Sequence, residues 1–347
     1  MMKKRHILHW AMGVVMTPLL GSCAADDVVG DAGMEGCDII LGQPMTVTSA
    51  TRATDGRTSS TQFEKDEIVW LWAIMELTTN EHITAWKLKA NGSGGFSSFT
   101  TGSSAKYWPS DGSKLNVYAL HGNFKNSQIR EDATSWSSLT SLTHTVETDQ
   151  SSDVNKRLSD LLYSQTSSVA PNTGSVQLTF NHLLAKITVK LDLTNSKGIN
   201  EGELANAEVT LTNIQPDATI SNTLLTGNSG KTSTTGTRTT ITSGKIPSSI
   251  CSGDVIGSAI VPLQNFGGGK GSDSENNVIT ITLAYPDSRS FSYTPTPSVA
   301  LTAGNEYIYT LKIINGELSV SSISVQGFAV ETTQEKKWDI YVEPSGS

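Results

Sequence analysis

Apolar runs are scarce in this chain. Only the stretch from Ile7 to Leu20 is continuously hydrophobic, and it falls short of the ~20 apolar residues that a membrane-spanning helix takes. No second run follows, which predicts a soluble body. Basic blocks are absent as well. Lys and Arg number 25 against 33 acidic residues, a net charge of −8, so nothing invites a nucleic-acid backbone. Cysteine is rare: Cys23, Cys37 and Cys251 share no C-x-x-C spacing, which removes the usual thiolate metal and redox motifs. Helical signals are few, because the many Ser, Thr and Gly residues suit turns and exposed strand faces better than helix interiors. Asp153 to Leu162 has room for a turn or two of helix at most.

Catalytic spacings are missing too. His82, His121, His144 and His182 show no i, i+4 or H-x-H pattern for a metal, and each reads as a surface or packed histidine. Gly230-Lys231-Thr232 imitates the end of a phosphate loop, but Leu225 stands where that loop needs glycine. Gly267-Gly268-Gly269-Lys270 fails because Gly271 follows the lysine in place of a hydroxyl residue. No Gly-x-Ser-x-Gly elbow occurs. Asp66-Glu67 sits beside a strand start and reads as solvated edge charge. A hydrolase lacks every part it needs, and neither a cofactor nor a metal is expected.

What is present begins at the N-terminus. Lys3, Lys4 and Arg5 precede the apolar run, and small residues lead to Cys23. That is the layout of a secretory signal over residues 1–22. The ending Leu20-Gly21-Ser22-Cys23 resembles a lipobox, in which the cysteine is acylated and becomes the mature first residue. Acyl chains anchor firmly, since each buried methylene adds roughly 0.8 kcal/mol. Ala24-Ala25-Asp26-Asp27 follows, and such an acidic cluster resembles a surface-export signal. The expected location is therefore the exposed side of the cell outer membrane. Export permits a disulfide, although no sequence signal brings Cys37 and Cys251 together.

Residues 23–52 are rich in Gly, Asp, Thr and Ser and read as a tether. One alternating piece, Met45-Thr46-Val47-Thr48-Ser49, stands out within it. Beyond residue 60 the pattern is strand-like throughout. Ile68 to Ala73 is an apolar run of buried-strand length. From Ala185 to Leu193, Ile187, Val189, Leu191 and Leu193 point one way, and Lys186, Thr188, Lys190 and Asp192 point to a wet face. Leu115 to Ala119, Ala207 to Leu211, Ile279 to Leu283 and Tyr307 to Ile313 alternate likewise. Asn315-Gly316 between two alternating runs marks a hairpin ahead of Ile323 and Val325. Thr226 to Ser243 reads as a long loop or a floppy hairpin, and Phe266 to Asn277 as a glycine-rich loop. Short strands parted by turn clusters indicate β-sandwiches. A break near Pro171 to Gly174, ahead of a strand at Val176 to Phe180, divides the body into residues 53–172 and 173–347.

Six tryptophans follow the signal: Trp70, Trp72, Trp86, Trp108, Trp136 and Trp338. Trp70 and Trp72 share one face of a strand. Aromatics of that kind dominate cores, but an exposed group of them stacks on sugar rings, so a surface glycan-binding lipoprotein is a second reading.

The landmarks follow a recognisable order. After the lipobox and tether come Thr51-Arg52-Ala53-Thr54, Lys106-Tyr107-Trp108-Pro109, Asp160-Leu161-Leu162-Tyr163, Phe180-Asn181-His182-Leu183-Leu184-Ala185-Lys186 and Gly304-Asn305-Glu306-Tyr307. This order resembles the fimbrillin family, the lipoprotein-derived pilins of type V pili in Gram-negative anaerobes. The resemblance implies an all-β chain of two tandem transthyretin-like sandwiches. It implies cleavage by an arginine-specific protease, here at Arg52-Ala53, with Arg57 also available. Loss of the tether strand then opens a groove for a strand from another pilin subunit, giving a fimbrium that adheres to a host or bacterial receptor. A head-to-tail contact of this sort does not close, so it builds a filament. The donor would come from the C-terminal part: Ile323 to Val330, or the strand in which Trp338, Ile340 and Val342 share a side. A tip or anchor subunit of the same pilus is a close variant.

Overall fold

The computed structural model describes residues 63–100, 106–125, 128–171, 176–226, 232–268, 276–284 and 288–327. The expected all-β character holds. Ile68–Met75 (β1), Glu81–Ala90 (β2), Phe96–Ser98 (β3) and Leu115–His121 (β4) come first, followed by Leu142–Thr145 (β5), the helix Asp153–Leu158 (α1), Leu162–Val169 (β6) and Asn181–His182 (β7). The remainder runs Ala185–Leu191 (β8), Glu201–Leu204 (α2), Glu208–Ile214 (β9), Asp217–Ile220 (β10), Asn222–Thr226 (α3), Ser233–Thr235 (β11) and Thr239–Lys245 (β12). It closes with Val255–Val261 (β13), Asn265–Phe266 (β14), Val278–Thr282 (β15), Ser290–Tyr293 (β16), Val299–Ala300 (β17), Asn305–Ile314 (β18) and Glu317–Gly327 (β19).

The first sheet has the order β3-β2-β1-β4-β6-β7. Val69, Leu71, Val117, Ala119, Leu162 and Phe180 build a core on one of its faces. On the other, Trp72, Tyr118 and Tyr163 pack on Trp136, which stacks on Tyr118 with ring centres 4.5 Å apart. Two further sheets, β12-β9-β15-β16 and β13-β8-β18-β19, enclose a second core. Ile187, Val189 and Leu191 meet Val209, Leu211, Ile279 and Ile281 there, all fully buried as the alternation predicts. Where β12 passes β13 the backbones nearly touch. A Cβ on Gly244 would lie 2.6 Å from the Ile256 carbonyl oxygen, so only glycine fits.

Four expectations change. The polar side of β8 is not wet: Lys186 and Thr188 are buried, because Glu306 arrives beside them from β18. The span Thr226 to Ser243 is neither a long loop nor a hairpin closed on itself, since β11 pairs with β10 and β12 with β9. Residues 176–180 bury Val176, Leu178 and Phe180 in alternation but form no ladder. Glu67 is not a solvated edge charge either; it pairs with Arg157 at 3.5 Å with 14% of its side chain exposed.

Candidate assembly surface

A strand at a sheet edge presents unpaired N–H and C=O groups, the raw material for strand addition. β19 is the longest such edge among the described residues, with 11 residues paired on one side to β18. Its sequence makes a two-sided ribbon. Leu318, Ile323 and Val325 lean on the core, while Ser321, Ser322 and Ser324 sit in an exposed or half-exposed row. The hairpin that feeds it turns at Asn315 and Gly316, with φ of 51° and 86°. Both values lie in the left-handed region that a two-residue turn of this kind requires.

The far end of β19 is pinned by buried charge. Glu306 receives hydrogen bonds from Thr188 Oγ1 at 2.6 Å and Gln326 Nε2 at 2.9 Å, and it meets Lys186 Nζ at 3.0 Å. Burial pushes the Glu306 carboxyl up, but the Lys186 ammonium and these donors outweigh it and hold the group below the usual carboxylate range. The motif residues Lys186 and Glu306, distant in sequence, thus lock the edge strand to the sheet.

A second motif cluster sits where the first sheet ends. β7 pairs with β6, Leu162 opposite His182, and Leu183 donates its N–H to the Leu161 carbonyl at 2.9 Å. His182 Nδ1 lies 2.7 Å from Asp160 Oδ1, with both side chains at most 2% exposed. His144 is sealed nearby. Its Nε2 donates to the Ser159 carbonyl at 2.9 Å and its Nδ1 accepts from the Asn123 N–H at 2.9 Å. Burial drives its pKa down to about 4. The His182–Asp160 pair ties β7 to the turn that follows α1. Among the described residues, no group of three or more His, Cys, Asp or Glu is arranged to hold a metal, and no helix is long and apolar enough to cross a membrane.

Some connections had no sequence signal. β5 pairs with β10, which lies more than 70 residues further on. Gln150, fully buried, imitates a strand: its Nε2 donates to the Ile260 carbonyl at 2.9 Å and its Oε1 accepts from the Ile260 N–H at 2.8 Å.

Cys23, Arg52, Ala53, Trp338, Ile340 and Val342 lie outside the described residues, as does Cys37. Cys251 is an exposed free thiol. Of the donor candidate Ile323 to Val330, the described part, Ile323 to Gly327, is paired with β18 of its own chain.

The fold is that of an all-β protein of several sheets with a long edge strand, β19. The chain belongs to the fimbrillin-like family, whose model matches residues 51–327. Among solved structures it is similar to a candidate cell adhesion protein from Bacteroides ovatus, with a TM-score of 0.61 and 14% identity over 85% of this chain and 99% of that one. A candidate cell adhesion protein from Bacteroides uniformis is similar at a TM-score of 0.56 and 19% identity, over 82% of this chain and 97% of that one. The tip fimbrial protein Mfa3 from Porphyromonas gingivalis, C-terminally truncated, matches at 0.46 and 10% identity, over 81% and 97%. No curated protein matches the sequence.

Proposed function

We propose that this chain is a non-catalytic pilin subunit of a surface fimbrium. The observation that carries the reading is the fimbrillin-like match over residues 51–327, which starts beside Arg52-Ala53 and ends where β19 ends. On this reading the chain has two tandem sandwich domains, residues 53–172 and 173–347. Lipid on Cys23 delivers the subunit to the outer membrane. An arginine-specific protease then cuts at Arg52-Ala53 and removes the tether. Strand addition joins subunits, with the segment carrying Trp338, Ile340 and Val342 as the donor, since β19 is occupied in its own subunit. Unpaired backbone supplies the affinity, and alternating side chains set the register.

The mass and N-terminal sequence of surface-extracted protein test this. Polymerised material is expected to begin at Ala53. An Arg52→Ala variant is expected to remain long, lipid-bound and absent from filaments. Normal filaments assembled from Arg52→Ala would sink the processing step, and a wild-type chain that keeps acylated Cys23 on the surface would make it an anchor subunit.

A further inference from the structure

The first sheet borders a cleft of about 550 Å3, walled by the start of β1, the middle of β2, the loop after β4 and α1. Small-ligand sites span roughly 300–1,000 Å3. Its floor is apolar: Trp70, Phe124 and Ile129. Trp70 is the exception among the described tryptophans. Trp72, Trp86, Trp108 and Trp136 are buried, whereas Trp70 is half-buried and lines the cleft. Val154 and Leu158, one helical turn apart on α1, add an apolar wall that is 55% and 44% exposed.

The rim is charged, and the charges do not cancel. Asp66 pairs with Lys89 at 3.2 Å, and Glu67 with Arg157 at 3.5 Å. Lys65, Lys87 and Lys125 have no ion pair among the described residues, and Glu64 is the carboxylate left to oppose them. Lys87 is held in place by two rings. Its Nζ lies 3.6 Å from the centre of Phe99 and 5.5 Å from that of Trp70, a geometry in which the ring faces attract the cation. A chain of net charge −8 therefore carries a locally cationic, aromatic-floored cleft.

We propose that this cleft binds an acidic saccharide, a pyranose carrying a carboxylate. The C–H face of the ring lies on the Trp70 indole, and the carboxylate meets the Lys87 and Lys125 ammoniums. A neutral sugar would leave those cations without a counter-charge, and a bare inorganic anion would leave the aromatic floor uncovered. The two features together select the class. The cleft shares no residue with β19, so this inference goes beyond the fimbrial reading and does not depend on it.

Titration of the full chain with sialyllactose, followed by tryptophan fluorescence and saturation-transfer NMR, is the test, with lactose as the uncharged counterpart. Sialyllactose is expected to bind saturably, at least tenfold tighter than lactose, and to weaken as salt rises. Lys125→Glu is expected to cut affinity at least tenfold, and Trp70→Ala to abolish the fluorescence change. Lys125 is exposed, so its variant keeps the test decisive should Trp70→Ala fail to fold. The proposal is overturned by any of three results: no binding of sialyllactose at millimolar concentration, equal binding of lactose, or an unchanged affinity in Lys125→Glu. Tighter binding of an acidic peptide at the same cleft would overturn it as well.

Discussion

His144 has the clearest individual consequence. It is neutral and fully buried, with both ring nitrogens engaged. Asp160, Asp217 and His121 are the charged or titratable groups that act on it, and none offsets its burial. In the unfolded chain it takes up a proton near its ordinary value, whereas the folded chain resists until about pH 4. Between those limits the unfolded state binds more protons, so stability falls as the pH drops from about 6.5 toward 4. The size of the effect is on the order of 3 kcal/mol. Urea midpoints of the wild type and His144→Gln, taken at pH 7 and pH 4.5, measure it: the variant is expected to lose much less on acidification. Glu306 contributes in the opposite range. Its lowered pKa keeps its stabilisation in place until the pH falls below the ordinary carboxylate value.

Among the elements, the β18–β19 hairpin is the one most legible in the sequence. Alternation placed both strands and Asn-Gly placed the turn, because a two-residue turn needs left-handed backbone at both positions and these residues tolerate it. A branched side chain at Gly316 meets that requirement badly. Gly316→Val is expected to cost about 1–3 kcal/mol through backbone strain alone, since a Cβ there meets no neighbouring atom within 4 Å. A urea midpoint equal to the wild type's would count against this account. β8 was legible only on one side. Its apolar face was right, but the polar face of Lys186 and Thr188 is buried under a partner about 120 residues away. Alternation reports which residues differ, and a buried ion pair looks the same in sequence as a solvated one. Residues 176–180 make the converse point. Their alternating burial is real, yet a ladder also needs a neighbouring backbone, and alternation says nothing about that.

Over the whole molecule, the chain between β4 and β6 is tied to later elements: β5 pairs with β10 in a small separate sheet, and Gln150 bonds Ile260 of β13. Gln150→Ala strips both bonds from the buried Ile260 peptide. The expected cost is about 2–6 kcal/mol, as leaving each buried group unsatisfied costs about 1–3 kcal/mol. Amide exchange at Ile260 is expected to accelerate in that variant while exchange in β1 and β4 holds. Uniform acceleration throughout would instead mean a general loss of stability.

The sequence by itself determined the all-β class, the strands with one apolar face and the turn at Asn315-Gly316. The order of short motifs shared with the fimbrillin family was legible there too. Each of these depends on neighbours close in the chain or on local backbone chemistry. Tertiary structure decided the rest. It set which polar faces are buried, it put Asp160 beside His182 and Glu306 beside Lys186, and it gathered Trp70, Lys87, Lys125 and α1 around one cleft. Those meetings bring together residues from tens to more than a hundred positions apart, and a local pattern carries no record of which distant segment will arrive opposite it.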